Sequence, residues 1–251
     1  MYDLNGKNIL IVGASSGIGA GTAKLLASCG AKVILAARRE EKLKEICESI
    51  GAEKAVWYSA DAAANEEIAS VVKRIVSEQG KLDGLVYAAG IVEDMPIKNL
   101  SHSKLMRTFD VNYFGFIEFV RQVTMRGSFN KDMRIVGISS TASCIGEKAH
   151  TSYSASKAAM DASVRCLAKE LWQKGIALNT VQPGMTMTDM TQGFIDMQGI
   201  ESDAYIHTMQ RQYGGMCSVE DIANAVAFLI SPNARMITGV SLPVDGGALS
   251  S

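Results

Sequence analysis

Two side chains four residues apart, Tyr153 and Lys157, have types and a spacing that could do chemistry together. A spacing of four places both on one face of a helix, one turn apart. A phenol with a pKa of about 10 is a poor acid or base at neutral pH, and a neighbouring ammonium group favours the phenolate. Tyr153 could therefore exchange a proton with a carbonyl or alcohol oxygen, with Lys157 lowering its pKa. The same spacing also fits an ordinary helix surface pair.

A glycine-rich turn, Gly13-Ala-Ser-Ser-Gly17-Ile-Gly19, lies between a predicted strand and a predicted helix. Gly13 permits a tight turn, Gly17 lets the backbone approach a pyrophosphate, and Gly19 allows close packing of helix on strand. The helix N-terminus then directs N–H groups at the phosphates. This pattern predicts dinucleotide binding. The other predicted cofactor contacts in the turn are Ser15, Ser16 and Ile18.

The second predicted strand ends in two arginines, Arg38 and Arg39, where an NAD enzyme usually has a carboxylate for the ribose hydroxyls. Arg38 can grip a 2′-phosphate and stack on the adenine, and Ser15 could add a hydroxyl. The arginines could also be a solvated pair balanced by Glu40 and Glu41. The pattern favours NADP(H) over NAD(H).

Short apolar runs of strand length alternate with segments of helical period along the 251 residues. Strands are predicted at 8–12, 32–36, 55–59, 84–88, 134–139, 176–182 and 240–244, and helices at 17–29, 40–50, 65–78, 101–123, 153–173 and 219–230, with a looser region at 185–216. Continuously apolar strands belong in a parallel sheet covered on both faces. The sequence therefore predicts an α/β fold, a single doubly wound Rossmann-type domain of about seven parallel strands.

Composition and charge exclude several other classes of protein. A formal net charge of −1 gives no reason to expect a nucleic acid or an anionic membrane as partner. The five cysteines are scattered, without the spacing of a metal site or a redox dithiol, so no metal is expected. The N-terminus lacks a signal-peptide pattern, and no apolar run reaches the roughly 18 residues of a membrane span. We expect a cytoplasmic protein.

Taken with the glycine turn, Ser140, Asn112 and the pair Tyr153-x-x-x-Lys157 resemble the classical short-chain dehydrogenase/reductase family. The likeness covers the whole chain. It extends to Asp61, Ala89-Gly90, Pro183-Gly184 and the closing Val244-Asp-Gly-Gly. The chain departs from the family at Tyr87-Ala88, where asparagines are frequent, and this bears on how neighbouring strands are braced.

The resemblance implies an NADP(H)-dependent oxidoreductase that interconverts a ketone and a secondary alcohol. Tyr153 would be the general acid/base, Lys157 would lower its pKa and bind the nicotinamide ribose, Ser140 (rather than Ser139) would orient the substrate oxygen, and Asn112 would hold a water. Further implied cofactor contacts are Asp61 at the adenine edge, Ala62, Ala89, Gly90, Pro183, Gly184, Thr186, and Thr188 at the carboxamide.

Substrate selection is expected from residues 185–216, which follow the sixth strand and could form a lid. This region holds six of the thirteen methionines, which suit an irregular apolar ligand but could equally be core contacts. The predicted substrate contacts are Ser140, Ile145, Met185 and Met190. Arg211 is the basic residue available in the lid, and His150 is expected at the pocket rim. An apolar ketone or secondary alcohol fits best.

Other functions remain open at this point. The chain also resembles 3-oxoacyl-[acyl-carrier-protein] reductases, and a hydroxysteroid dehydrogenase is a further alternative. A redox sensor that binds NADP(H) without turnover would share its cofactor site. The resemblance further implies a homotetramer or homodimer, packed through the helices that begin near Ser101 and Tyr153.

Overall fold

Seven parallel strands form one sheet in the computed structural model, which describes residues 2–200 and 202–250. The strands are β1 (Asn8–Val12), β2 (Lys32–Ala37), β3 (Ala55–Ser59), β4 (Leu82–Tyr87), β5 (Phe129–Ile138), β6 (Ala177–Pro183) and β7 (Ser241–Val244). Their order across the sheet is β3-β2-β1-β4-β5-β6-β7. The chain therefore reverses its direction of progress between β1 and β4, which confirms the predicted doubly wound sheet.

Helices cover both faces of this sheet. In the described residues they are α1 (Gly17–Ser28), α2 (Glu40–Ile50), α3 (Asn65–Gln79), α4 (His102–Phe109), α5 (Gly115–Val123), α6 (Thr151–Trp172), α7 (Asp189–Gln198), α8 (Asp203–Arg211) and α9 (Val219–Ile230). Within those residues, no helix has the length and hydropathy needed to cross a membrane.

Alternation along β1 explains why both faces need cover. Ile9 and Ile11 pack into the cluster that includes side chains of α1, α2 and α9, whereas Leu10 and Val12 pack into the cluster that includes α3, α5 and α6. Successive strand residues point to opposite faces, so a strand that is apolar throughout can be buried only between two helical layers.

The predicted helix over residues 101–123 is interrupted. A π-helical segment, Asp110–Phe114, joins α4 to α5 and holds Asn112 at its centre. The hydroxyl of Tyr87 donates a hydrogen bond to the Val111 carbonyl in this segment. Gly115 leaves room for that hydroxyl, because a Cβ at position 115 would lie only 2.6 Å from its oxygen. Hydrophobic period carries no signal for a single wide turn, so the sequence predicted one regular helix.

Two other expectations on secondary structure were wrong. The region 185–216 contains α7 and α8 and is not a continuous loose segment. β5 begins at Phe129, earlier than predicted; Phe129 pairs with Leu82 of β4, and the register then shifts before Arg134 pairs with Gly84. Because Lys131 and Asp132 are charged, the first part of this strand is not an apolar run and was not predicted.

Tyr87→Phe is expected to lower the free energy of unfolding by about 1–3 kcal/mol, because the buried Val111 carbonyl loses its donor. Urea unfolding followed by circular dichroism measures the change. In the control, Tyr58→Phe, the lost hydroxyl bonds to Glu78 and Gln79 near the surface, and a smaller effect is expected. Equal losses in the two variants would contradict the bracing role of Tyr87.

Candidate active site

A groove of about 440 Å³ runs along the carboxyl ends of the strands, between the loops that leave β1 and β4. Every residue predicted to contact the cofactor lines it. These are Gly13, Ser15, Ser16, Gly17, Ile18, Gly19, Arg38, Arg39, Asp61, Ala62, Ala89, Gly90, Tyr153, Lys157, Pro183, Gly184, Thr186 and Thr188. The topology therefore gathers into one groove motifs that are up to 175 residues apart in sequence (188 minus 13).

The glycine turn fits the backbone of a dinucleotide. Gly13 has a positive φ of 82°, and a Cβ there would overlap the backbone of Ala89. A Cβ on Gly19 would meet the Gly13 carbonyl. Ser16 is the N-cap of α1 and, in the described structure, makes no side-chain cap hydrogen bond, so the first N–H groups of α1 are available to phosphate oxygens.

Arg39, rather than Arg38, is fixed at the glycine turn. Its Nε and Nη2 donate to the Ser15 hydroxyl at 3.1 and 3.0 Å, and Nη2 donates to the Ser16 hydroxyl at 2.5 Å. Arg38 is exposed and lines the same groove. Both arginines line the groove at the end of β2, where the sequence predicted a contact with a ribose phosphate, although the prediction had given the main role to Arg38.

Ser140 and Tyr153 meet in the groove, as their predicted roles require. Ser140 is the N-cap of a short 3-10 turn that follows β5; its hydroxyl accepts from the Ala142 N–H at 3.1 Å, and Ser140 and Tyr153 both line the groove. Ser139 instead donates to Asp161 at 2.9 Å, away from the phenol. Burial raises the pKa of Tyr153, and the hydrogen bond from Ser140 partly opposes this rise.

Lys157 lies beneath the phenol, and its exposed fraction is 3%. Its ammonium group donates to the Ile138 carbonyl at 2.7 Å and lies 5.7 Å from the centroid of the Tyr153 ring. Burial lowers the pKa of Lys157 to about 8, and Asp161 opposes this shift. The expected lowering of the Tyr153 pKa by the ammonium charge of Lys157 stays a prediction.

Asn112 is fully buried and braces the loop that follows β4. Its Oδ1 accepts from the Ile91 N–H at 2.8 Å, and its Nδ2 donates to the Ile91 carbonyl and to the Ser156 hydroxyl, both at 3.0 Å. Gly90, just before Ile91, lies against Asn112 and Lys157. The sequence predicted a water-holding role for Asn112 and missed this direct link between the π-helical segment, the groove and α6.

The predicted substrate contacts do not all lie in the groove. Of the four, Ser140 lines the groove, whereas Ile145 and Met185 are not among the groove residues. The side chain of Met190 lies outside those that the structure describes. Arg211 is paired with Glu147 at 2.5 Å, so it does not stand ready for an anionic substrate.

His150 lies at the rim, edge-on to the Tyr153 ring, and its Nδ1 is 3.1 Å from Asp94. Sequence reasoning missed several groove residues, most of which adjoin the motifs it used. They are Val12, Ala37, Ala60, Ala88, Ile91, Val111, Ile138, Ser139, Asp189 and Thr191.

Comparison with known proteins places this site in a family. Residues 13–248 match the sequence model of a family described as enoyl-(acyl carrier protein) reductase. An L-xylulose reductase from Caenorhabditis elegans is 37% identical, over 98% of this chain and 97% of the relative. The 3-oxoacyl-[acyl-carrier-protein] reductase FabG of Rickettsia felis is 36% identical, over 99% of both. The crystal structure of a 3-ketoacyl-(acyl-carrier-protein) reductase from Brucella melitensis complexed with NADH superposes with a TM-score of 0.86, at 29% identity over 98% of this chain and 99% of that one.

The chain belongs to the classical short-chain dehydrogenase/reductase family. It is an oxidoreductase that acts on CH–OH and C=O groups and uses a nicotinamide nucleotide. The cradle at Gly13, which a Cβ would fill, agrees with a bound dinucleotide.

Gly13→Ala is expected to weaken the binding of both NADPH and NADH by about tenfold or more, because the methyl group adds left-handed backbone strain and overlaps Ala89. Titration of cofactor fluorescence measures it, beside an unfolding curve. Gly193→Ala is the control, since a Cβ there meets no atom within 4 Å and its φ is unstrained. Cofactor affinity retained in Gly13→Ala would contradict this use of the turn.

Proposed function

We propose that this protein is an NADP(H)-dependent carbonyl reductase, reversible as an alcohol dehydrogenase, with Tyr153 as its general acid/base. The observation that carries the proposal is that the hydroxyl-bearing residues Ser140 and Tyr153 line one groove together with the buried Lys157, whose ammonium group lies 5.7 Å from the centroid of the phenol ring. A scaffold that only binds cofactor needs the glycine turn but has no use for this pair.

The bound cofactor supplies or accepts the hydride at the substrate carbon. In the reductive direction Ser140 donates a hydrogen bond to the carbonyl oxygen and stabilises the negative charge that develops on it. Tyr153 gives its phenolic proton to that oxygen, so the C=O double bond becomes a C–O single bond with a new C–H and a new O–H bond. Lys157 would hold the ribose hydroxyls, Asn112 would hold a water that returns a proton through Lys157, and Thr188 would fix the carboxamide. Oxidation of an alcohol reverses each step.

Tyr153→Phe is expected to lower kcat by about 10²–10⁴-fold, because the proton donor is lost while the ring still packs. Its affinity for cofactor should change little. Turnover is followed by NADPH absorbance, and the control is Tyr213→Phe, whose lost hydroxyl bonds to Ser250 outside the groove. Unchanged turnover in Tyr153→Phe would overturn the mechanism and favour a cofactor-binding sensor.

Preference for NADP(H) rests on charge at the end of β2. Arg38 and Arg39 line the groove, and hydroxyls of the glycine turn fix the guanidinium of Arg39. A planar guanidinium offers several donors to one phosphate group. The positive charges of these side chains would neutralise a 2′-phosphate. An NAD ribose has two free hydroxyls instead, and no groove residue at the end of β2 is a carboxylate that could accept hydrogen bonds from them.

Arg39→Ala is expected to lower kcat/KM for NADPH by about tenfold or more, since hydrogen bonds to a charged group contribute about 1.5–3 kcal/mol. The value for NADH should change less. Lys42→Ala, which removes a cation from the exposed face of α2, is the control. If the unmodified protein uses NADH more efficiently than NADPH, the assignment of the cofactor is wrong.

The proposed substrate is an uncharged, largely apolar ketone or its secondary alcohol, enclosed by residues 185–216 as a lid. A 3-oxoacyl thioester is a second candidate, favoured by the name of the Rickettsia relative. An oxo-steroid also fits a methionine-rich lid, and the Caenorhabditis relative adds a ketose. A screen of these four classes with NADPH discriminates between them.

We further propose a cytoplasmic homotetramer or homodimer that packs through α4, α5 and α6. Phe109 at the end of α4 forms an aromatic cluster with Tyr113 and Phe114 of the adjoining π-helical segment, and Phe114 is partly exposed.

A further inference from the structure

A buried carboxylate, Asp161, lies one helical turn beyond Lys157 on α6, and its exposed fraction is 5%. It accepts three hydrogen bonds from side chains: Ser139 at 2.9 Å, Thr180 at 2.7 Å and Gln182 at 2.9 Å. Asp161 belongs to none of the ion pairs found among the described residues. A buried charge is costly, and these donors together with the nearby Lys157 compensate it.

Gln182 extends this network to the turn that carries Ser140. Its Nε2 donates to the Ser143 hydroxyl at 2.8 Å as well as to Asp161. The Ser143 hydroxyl in turn donates to the Ser140 carbonyl at 2.8 Å. Gln182 also precedes Pro183 and Gly184 in the groove. One carboxylate therefore ties α6 to the ends of β5 and β6, next to the serine that faces the phenol.

We propose that Asp161 is a positioning residue for the reaction: through Gln182 and Ser143 it fixes the turn that presents Ser140, and one helical turn from Lys157 its negative charge stabilises that ammonium group. This inference rests on the roles proposed above for Ser140 and Lys157. Asp161 touches no reacting atom, so it acts only through other residues. The predicted catalytic set did not include it.

The groups around Lys157 show that the electrostatic effect on its ammonium group comes from Asp161. On α6 the neighbouring titratable groups are Tyr153 and Asp161. The β5 end contributes the Ile138 carbonyl, and the π-helical segment and the β4 loop contribute the uncharged Asn112 and Gly90. Asp161 is thus the negative charge that offsets the burial of this ammonium group. Its removal should let the pKa of Lys157 fall below the present value of about 8.

The decisive experiment measures NADPH affinity of the full-length protein by fluorescence from about pH 6 to about pH 10. For the unmodified chain, affinity should fall roughly tenfold as pH rises through the pKa of Lys157 and its charged hydrogen bonds to the ribose are lost. In Asp161→Asn this fall should move to lower pH by about one unit. Lys157→Met should bind without the fall, which assigns the fall to that ammonium group.

Two variants separate charge from position. Thr180→Val removes one donor but keeps the carboxylate, so it should lower stability without moving the pH at which affinity falls. Gln182→Met cuts the link to Ser143 and keeps the charge. It should lower kcat about tenfold with the pH dependence of binding in place, because Ser140 is misplaced while Lys157 is not.

An unmoved fall in Asp161→Asn would overturn the electrostatic role, and an unchanged kcat in Gln182→Met would overturn the positional one. Asp161→Ser is measured in parallel, so the result does not depend on the folding of one variant. Failure of the proposed function looks different: no tested carbonyl would be reduced by the unmodified chain, while the binding curves would still report on Asp161.

Discussion

The groove depends on the close approach of two backbones, at Gly13 and Ala89. β1 and β4 are neighbours in the sheet, but the chain leaves them for opposite faces, so the loops that follow them diverge and open a cleft. The cleft floor can be this narrow only because Gly13 has no Cβ. The function proposed above depends on this gap, because through it phosphates would reach the start of α1 and the far end of a dinucleotide would reach Ser140 and Tyr153.

The β4 side of the gap needs its own support, and here the chain departs from its family. Tyr87 stands where asparagine is frequent, buried against Phe116 and Phe119 with its hydroxyl on the Val111 carbonyl. Val111 precedes Asn112, which holds Ile91 through both its N–H and its carbonyl. A bulky side chain inside the sheet thus secures the π-helical segment, and through Asn112 that segment secures the loop of the groove. Tyr87, the residue at which the chain departs from its family, therefore itself braces this part of the sheet.

Local patterns predicted what depends on local residues. The strand and helix order follows from hydrophobic period, and the groove residues follow from motifs at strand ends, because parallel strands all end at one edge. What escaped prediction depends on side-chain contacts across long separations. Asn112 meets Ile91 across 21 residues and Gln182 meets Asp161 across 21, while the choice of Arg39 over Arg38 depends on which side chain reaches Ser15. No spacing rule reports such contacts, and the wide turn around Asn112 leaves the apolar period intact.

Substrate charge can be argued from the rim of the site. Arg211 on α8 is paired with Glu147, and His150 beside the phenol is paired with Asp94. An anionic substrate that bound Arg211 or His150 at this rim would have to compete with Glu147 or Asp94 for that side chain. An uncharged carbonyl compound would leave the Arg211–Glu147 and His150–Asp94 pairs in place, and its oxygen would bind Ser140 and Tyr153. The pairs at the rim are therefore compatible with the uncharged substrate proposed above, and the Arg211–Glu147 pair ties the proposed lid to the loop that precedes α6.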